Sequence, residues 1–414
     1  MDYIISDTIY HALDTLTTKD TVQKALTFIK EDQEEIIQRQ MELTLIPAPT
    51  FHEEKKAARF LEMFKEEGLE DCTIDEYGNV LGWYRGKGNG KTILVEGHMD
   101  TVFPLDTKLE IKREGGWIRC PGITDDTRGC ASVLSVIRAL KHAGIVPEGD
   151  ILFAGTVEEE GMGALGGMKY LVEHHPELTG SISIDGPGFS EITYLATGIQ
   201  TYEMDFHGIG GHAYGQFGKV ANPAHAAGRA IAKISELTVP EEPRTTFEVT
   251  GLIGGSFAAI HAIPDTAGFT LNFRSNDPEE LEKLRKAIFA CCDEACKEET
   301  QRWGKDTITW DYKHVCDVGA GLQDPHAPIV EGALAVAEYL GAEEPGLSGS
   351  GCTNCSRAVE KGLPAVCLGG GADYDSKCHS LEEQFKEEGA YLGCQSALLL
   401  VLLCAGYDTA DSIL

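Results

Sequence analysis

The sequence has little positive charge for its length. Its 414 residues carry 35 Lys and Arg against 66 Asp and Glu, which gives a formal net charge of −31 at pH 7. A surface of this charge repels polyanions, so we expect neither nucleic acid nor an anionic membrane as a partner. Beyond solubility, the acidic excess points to no particular ligand.

Long apolar runs are also missing. No run of 18 apolar residues occurs, and the stretch MDYIISDTIYHALDT at the start has no basic segment. We therefore expect neither a membrane span nor a secretory signal. The 13 cysteines are odd in number and scattered, which favours reduced thiols in a cytoplasmic protein over a disulfide framework. Cys352 and Cys355 form a C-x-x-C pair with no second pair at zinc-ribbon spacing, which favours a loop with incidental thiols.

Glycine-rich phosphate motifs are absent as well. No GxGxxG or Walker pattern follows the predicted strands, so a nucleotide-binding function has little support. What the chain does contain is an alternation of short apolar strands with helices, which predicts an α/β fold with a sheet flanked by helices. Its length favours two domains.

The pattern changes between residues 193 and 313. Strands of alternating polarity are mixed there with two helical stretches, which is typical of an α+β domain. The α/β pattern resumes after this segment. We therefore predict a catalytic domain in two parts, 1–192 and 314–414, interrupted by a lid-like insert at 193–313.

The stretch Ile93–Pro104, with the sequence ILVEGHMDTVFP, carries the first candidate chemistry. Its apolar start predicts a buried strand, which ends at His98 with Asp100 two residues further on. An imidazole is a good zinc ligand when its tautomer and ring angle are fixed, and a nearby carboxylate can fix both. A His and an Asp in a solvated loop is the alternative that this stretch alone leaves open.

Further acidic residues and a histidine follow other predicted strands. Glu158–Glu160 follow an apolar strand, Asp185 follows another, and Asp125 lies in a strand-to-helix loop. His379 lies in a loop that begins with three glycines, as a crowded site often requires. Open α/β sheets bind ligands at the carboxyl ends of their strands. The alternatives are an acidic helix start, which the helix dipole favours, and an ordinary loop histidine.

The candidate metal ligands are two imidazoles and three carboxylates, namely His98, Asp125, Glu160, Asp185 and His379. This set suits zinc, with cobalt or manganese as alternatives. Five side chains can hold two metal ions if one carboxylate bridges them. Adjacent residues cannot easily both chelate, so Glu159 could take a proton from water while Glu160 binds metal.

In combination, several motifs resemble those of the M20 metallopeptidases, which include tripeptidases, carboxypeptidases, aminoacylases and desuccinylases. The resemblance covers nearly all of the chain after about residue 35. The motifs are Gly97-His98-Met99-Asp100-Thr101-Val102, Asp125-Asp126, Glu159-Glu160, Gly208-Ile209-Gly210-Gly211-His212-Ala213, Ile263-Pro264-Asp265, Asn272-Phe273-Arg274 and Cys378-His379-Ser380-Leu381-Glu382-Glu383.

The resemblance implies a role for each candidate. Asp125, followed by a cis peptide bond, would bridge two zinc ions. His98 and Asp185 would complete one site, and Glu160 and His379 the other. Asp100 would orient His98, and Glu159 would be the general base and then the acid that protonates the leaving amine.

The insert would be a dimerisation domain with a four-stranded sheet and two helices. His212 would stabilise the oxyanion, often from the partner subunit of a dimer. Arg274 would help to hold a substrate carboxylate.

Three positions depart from the common pattern. His261 stands where many members have Asn, Asn354 where Asp is common, and Thr127 where Lys often occurs. We take His261 and Asn354 as substrate-adjacent.

The expected function is that of a two-zinc hydrolase that cleaves the amide bonds of short peptides, as a di- or tripeptidase-type exopeptidase. The metal-bridged water would attack the carbonyl, with Glu159 as the proton shuttle. The alternative is an N-acyl-amino-acid deacylase, because both enzymes cleave an amide near a free carboxylate. A non-catalytic protein of the same fold would have lost a ligand or the base, and here all are present.

Overall fold

The structure is a computed structural model that describes residues 5–303, 308–349 and 351–414. The chain forms two compact units. The first comprises Met1–Ala196 and Leu322–Leu414, and the second comprises Thr197–Gly321. The second unit begins four residues and ends eight residues after the insert 193–313 that the sequence pattern suggested.

Eleven α-helices occur in the described ranges. In chain order they are α1 Asp7–Thr17, α2 Asp20–Glu31, α3 Gln33–Thr44, α4 Glu54–Glu66, α5 Thr127–Ala143, α6 Gly166–His174, α7 Pro223–Ile234, α8 Pro278–Trp303, α9 Pro328–Tyr339, α10 Cys355–Glu360 and α11 Tyr391–Ala405. The last of these is largely apolar and mostly buried, and it has 15 residues. Among the residues described, no helix has both the length and the hydropathy to cross a bilayer.

Seventeen β-strands occur in the same ranges. They are β1 Glu70–Ile74, β2 Val80–Tyr84, β3 Thr92–His98, β4 Lys112–Glu114, β5 Trp117–Arg119, β6 Asp150–Thr156, β7 Gly180–Ile184, β8 Glu191–Thr193, β9 Gly198–His207, β10 Gly211–His212, β11 Thr245–Gly254, β12 Ala262–Ile263, β13 Thr266–Ser275, β14 Thr309–Val318, β15 Gly346–Ser348, β16 Ala365–Leu368 and β17 Gln384–Lys386.

The first unit is built on an eight-stranded mixed sheet in the order β1-β2-β6-β3-β7-β16-β8-β15. Its centre, β6-β3-β7-β16, is parallel, and the β1-β2-β6 edge is antiparallel. Every residue of β3 is buried. A strand covered on both faces reads as a continuous apolar run, which explains the pattern at Ile93–Val95. The mixed sheet with flanking helices confirms the predicted fold class.

Helices cover both faces of this sheet. Ile93 and Val95 belong to the core cluster that contains α5 and α11, whereas Leu94 belongs to the cluster that contains α6 and α10. Because side chains alternate along a strand, His98 shares its face with Leu94. His98, the last residue of β3, is therefore attached to a strand that packing holds in place on both faces.

The second unit is a four-stranded antiparallel sheet in the order β11-β13-β9-β14, with α7 and α8 packed on it. Phe206, Phe269 and Phe273 form part of its core. Strand β11 was missed by the sequence pattern. Along most of β11, exposed side chains alternate with partly exposed ones, so neither face of the strand is clearly apolar.

Candidate metal centre

His98 is held at the end of β3 by hydrogen bonds on one side of its ring. Its Nδ1 lies 3.1 Å from the carbonyl oxygen of Asp100 and 3.4 Å from the carboxylate Oδ1 of the same residue. Both side chains are buried. Two acceptors at Nδ1 place the proton of the neutral ring there, so Nε2 presents its lone pair to the site.

Asp100 also fixes the segment that carries two other candidates. Its carboxylate accepts hydrogen bonds from the backbone N–H of Glu159 and of Glu160, both at 3.0 Å, and from the Thr50 hydroxyl at 2.9 Å. Burial raises the pKa of Asp100, but His98 and the two N–H groups outweigh burial and hold it below its usual value. Asp100 therefore links the end of β3 to the turn after β6.

Asp125 lies between the two predicted histidines. Its Oδ1 is 3.1 Å from Nε2 of His98, and its Oδ2 is 2.9 Å from Nε2 of His379. Asp185 Oδ1 lies 3.9 Å from Nε2 of His98, whereas Glu160 Oε1 lies 3.0 Å from Nε2 of His379. The five predicted ligands thus form two groups that share one carboxylate.

These distances fit a bound metal ion. Ligand atoms of a tetrahedral zinc site lie about 3.3 Å apart, given zinc–ligand bonds of about 2.0 Å. Asp125 Oδ1 is buried and makes no hydrogen bond, although it faces His98 Nε2. Burial lowers the pKa of His98, but Glu159, Asp100 and Asp125 outweigh burial and hold this pKa well above its usual value. Without a metal ion, Nε2 therefore holds a proton towards Asp125 Oδ1, and a cation between the two atoms would take the place of that proton.

The electrostatics also favour a cation. Burial and the neighbouring carboxylates raise the pKa of Glu159 well above its usual value and that of Asp185 to about 7. Burial likewise raises the pKa of Glu160. Hydrogen bonding to Asp125 raises the pKa of His379 to about 9. Without a metal ion, these groups bind protons to offset an excess of negative charge.

Comparison with known proteins agrees with this geometry. Residues 94–402 match the model of peptidase family M20/M25/M40. The chain belongs to this family. The match confirms the resemblance drawn from the motifs, and with it the hydrolase class.

Relatives of this M20 hydrolase include succinyl-diaminopimelate desuccinylase of Paracoccus denitrificans, which is 26% identical over 322 residues, or 73% of this chain and 81% of the relative. The aminopeptidase PepT of Bacillus cereus has a TM-score of 0.73 at 23% identity, over 89% of this chain and 98% of that one. A dinuclear metal-binding M20 peptidase of Bacillus subtilis has a TM-score of 0.67 at 16% identity, over 91% and 99%. At these identities the two structures show a shared fold.

Two residues of the M20 site had no predicted role. Asp126 caps α5 through Gly129 N–H at 2.8 Å and accepts the N–H of His98 at 3.0 Å. The Asp125–Asp126 peptide bond is cis, as the motif predicted. Glu383 accepts hydrogen bonds from the loop that carries Asp125. The Asp-Asp motif and the Glu382-Glu383 pair were visible in the sequence, but their hydrogen bonds connect segments far apart in it.

Close packing explains two glycines beside the site. A Cβ on Gly97 would lie 2.7 Å from the backbone nitrogen of Cys130, and one on Gly129 would lie 2.1 Å from the carbonyl oxygen of Ile184. The start of α5 therefore contacts the backbone of β3 and the end of β7 directly. This contact brings the Asp125 loop against His98.

Three predicted residues lie in the second unit. His212 is exposed, and its Nδ1 accepts the N–H of Gly215 at 3.2 Å, so the proton of the neutral ring is on Nε2. Arg274 is exposed and donates to the Asn272 side chain at 3.1 Å. His261 is exposed, and its carbonyl accepts the N–H of Ala213. Their roles stay predictions.

Asn354, the fourth residue predicted to lie near the substrate, belongs to the first unit. Its side chain is buried, and its amide donates to Glu96 and Thr156, both at 2.8 Å. Its Nδ2 group is thus engaged with two residues on the strands beneath the site, whereas its buried Oδ1 has no hydrogen-bond partner. The predicted substrate contact of Asn354 stays a prediction.

Proposed function

We propose that this M20 hydrolase is a two-zinc exopeptidase of the di- or tripeptidase type, acting on short peptides. The observation that carries the proposal is Asp125, whose two carboxylate oxygens face His98 and His379 separately. Such a carboxylate suits a bridge between two ions. Structurally similar proteins include the aminopeptidase PepT and a tripeptidase of Staphylococcus aureus, which has a TM-score of 0.73 at 22% identity.

We assign one metal position to His98, Asp125 and Asp185, and the other to Asp125, Glu160 and His379. Zinc bound there would polarise the scissile carbonyl and lower the pKa of the attacking water. Cobalt or manganese could bind to the same oxygen and nitrogen ligands. The chain itself supplies the fixed ring of His98 and the turn held by Asp100.

Glu159 is the proposed general base. Its carboxylate reaches within 4.8 Å of ligand atoms of His98 and Asp185, and its backbone N–H is fixed by Asp100. Because burial raises its pKa, the carboxylate binds a proton readily. It would take a proton from the attacking water and pass it to the leaving amine.

We propose that three residues, all of them in the second unit, contact the substrate. With its proton on Nε2, neutral His212 can donate a hydrogen bond to an oxyanion. Arg274 presents a planar guanidinium that suits a carboxylate, and we keep His261 as substrate-adjacent.

Cleavage of peptides rather than N-acyl amino acids is the first prediction. The alternative is a deacylase, which the desuccinylase among the relatives favours. The zinc-loaded enzyme should be assayed with dipeptides, tripeptides, N-acetyl and N-succinyl amino acids. We expect kcat/KM for the best peptide to exceed that for every N-acyl amino acid by about tenfold or more. Good deacylation without peptide cleavage would reject the exopeptidase.

We further propose that the protein is a homodimer formed through the second unit. Strand β11 is an edge of the sheet, and Leu252 and Ile253 on it are 76% and 60% exposed. Phe257 and Ile260, a few residues on, are also exposed. An edge strand with exposed apolar residues near its end is suited to pairing with another chain.

Disrupting this edge should give a monomer. Light scattering coupled to size exclusion should report twice the chain mass for the native protein and a single chain for Leu252→Asp, since burying a charge in the interface is costly. Leu45→Asp is the control, because Leu45 is 48% exposed on the first unit. A native monomer, or a dimer that survives Leu252→Asp, contradicts this interface.

We place the enzyme in the cytoplasm. Several of its cysteines are buried thiols without a disulfide, including Cys130, Cys394 and Cys404. Reduced thiols are typical of proteins in a reducing compartment.

A further inference from the structure

Glu383 is a fully buried carboxylate beside the candidate metal centre. It accepts three hydrogen bonds from the backbone of the loop that leads to Asp125. Gly122 N–H donates to Oε2 at 2.9 Å, and the N–H groups of Thr124 and Asp125 donate to Oε1 at 2.8 and 2.9 Å. One side chain thus holds three backbone groups within four residues of the loop.

The backbone of Glu383 ties the same two segments together. Its carbonyl oxygen accepts the N–H of Cys120 at 3.2 Å, and its own N–H donates to the carbonyl of Ser380 at 3.1 Å. The second bond closes the turn 380–383, which directly follows His379 and is called the His379 turn below. Glu383 therefore connects the His379 turn to the Asp125 loop through both its side chain and its backbone.

This connection matters because the two segments meet at the metal centre. Nε2 of His379 lies 2.9 Å from Oδ2 of Asp125, and His379 is more than half exposed. Exposed side chains are poorly held by packing, so the position of His379 depends on the turn that carries it. Buried N–H groups that lose their acceptor are costly.

We propose that Glu383 is a positioning residue that sets His379 against Asp125 and so preforms the metal position shared by Asp125, Glu160 and His379. The inference rests on the proposed two-metal centre. It goes beyond that centre because it assigns metal affinity to a residue that contacts no metal.

The test compares Glu383→Gln with Glu382→Gln. Gln at 383 can still accept from Thr124 and Asp125, but its amide NH₂ would oppose the N–H of Gly122. Glu382 is the residue before Glu383 and is exposed, so the same substitution at Glu382 is a matched control. The metal-free proteins are titrated with Zn²⁺ against a competing chelator, and the affinity of each equivalent is measured.

We expect two zinc equivalents for the native protein and for Glu382→Gln. For Glu383→Gln, one equivalent should bind about 10- to 100-fold more weakly, as is usual when a residue supporting a ligand is lost. Hydrogen exchange of the Gly122, Thr124 and Asp125 amides should also be faster in the metal-free variant. If Glu383→Gln does not fold, Glu383→Asp, which keeps a carboxylate, is used in its place. We expect the same weaker binding of one zinc equivalent.

Native affinity for both equivalents in a folded Glu383 variant, with unchanged amide exchange, would overturn the proposal. A native protein that binds fewer than two zinc ions would instead overturn the two-metal centre itself. The two failures are therefore distinguishable in the same titration.

Discussion

Replacing Glu159 with Gln should lower kcat by about 10²- to 10⁴-fold while both zinc ions stay bound. The amide has nearly the same shape as the carboxylate, and the Asp100 hydrogen bond to the backbone of residue 159 does not depend on the side chain. The variant loses the group that accepts the proton of the attacking water. Substrate binding needs no proton transfer, so KM should change much less than kcat.

The measurement is steady-state kinetics together with metal analysis of the same preparation. Glu158→Gln is the matched control, because the Glu158 carboxylate accepts from the Tyr77 hydroxyl at 2.7 Å and has no proposed part in the reaction. Its kcat should stay close to the native value. A Glu159→Gln enzyme with full zinc content and native kcat would exclude Glu159 as the base.

Removing the metal ions should abolish hydrolysis and destabilise the fold. Burial holds several carboxylates close together here, and bound cations would offset their repulsion. A ligand present at 1,000 times its Kd stabilises the folded state by about 4 kcal/mol. Chelation should therefore lower the unfolding temperature, and added zinc should restore both the temperature and the activity. A chelated, metal-free protein that keeps its activity would exclude the metal mechanism.

The metal-free protein should also become less stable as pH rises from about 5.5 to 8. The pKa of Asp185 is raised to about 7 by burial, and that of His379 to about 9 mainly by its hydrogen bond to Asp125. In both cases the folded state holds a proton that the unfolded state releases at lower pH, so raising the pH favours unfolding. Zinc would replace these protons, so the stability of the zinc-loaded protein should depend less on pH.

Local signals in the sequence predicted the parts of the site that follow from strand ends. His98 follows an apolar run because β3 is covered on both faces, and such a strand must end at the sheet edge. Asp185 follows β7 in the same way. Glu159 and Glu160 were recognisable because acidic residues directly after an apolar strand have few structural uses. The family motifs added the proposed pairing of ligands, and in the structure the two oxygens of Asp125 lie close to His98 and to His379.

Other features depended on contacts between distant segments. The Nδ2 group of Asn354 donates to Glu96 and Thr156 on neighbouring strands, and nothing in the local sequence indicates these partners. Strand β11 was missed because neither of its faces is strongly apolar. The role of Glu383 arises from three N–H groups about 260 positions away. No local pattern encodes such partners, because hydrogen bonds between loops depend on how the sheet brings them together.

The sequence by itself thus determined the fold class, the family, and the residue types of the proposed two-metal site. It did so because burial of β3 and β7 and the chemistry of metal ligands leave local patterns. Only the tertiary structure decided which oxygen of Asp125 faces which histidine, and which groups hold them there. Those arrangements depend on close contacts such as that of Gly97 with α5, and on distances of a few ångströms between segments that are far apart in the chain.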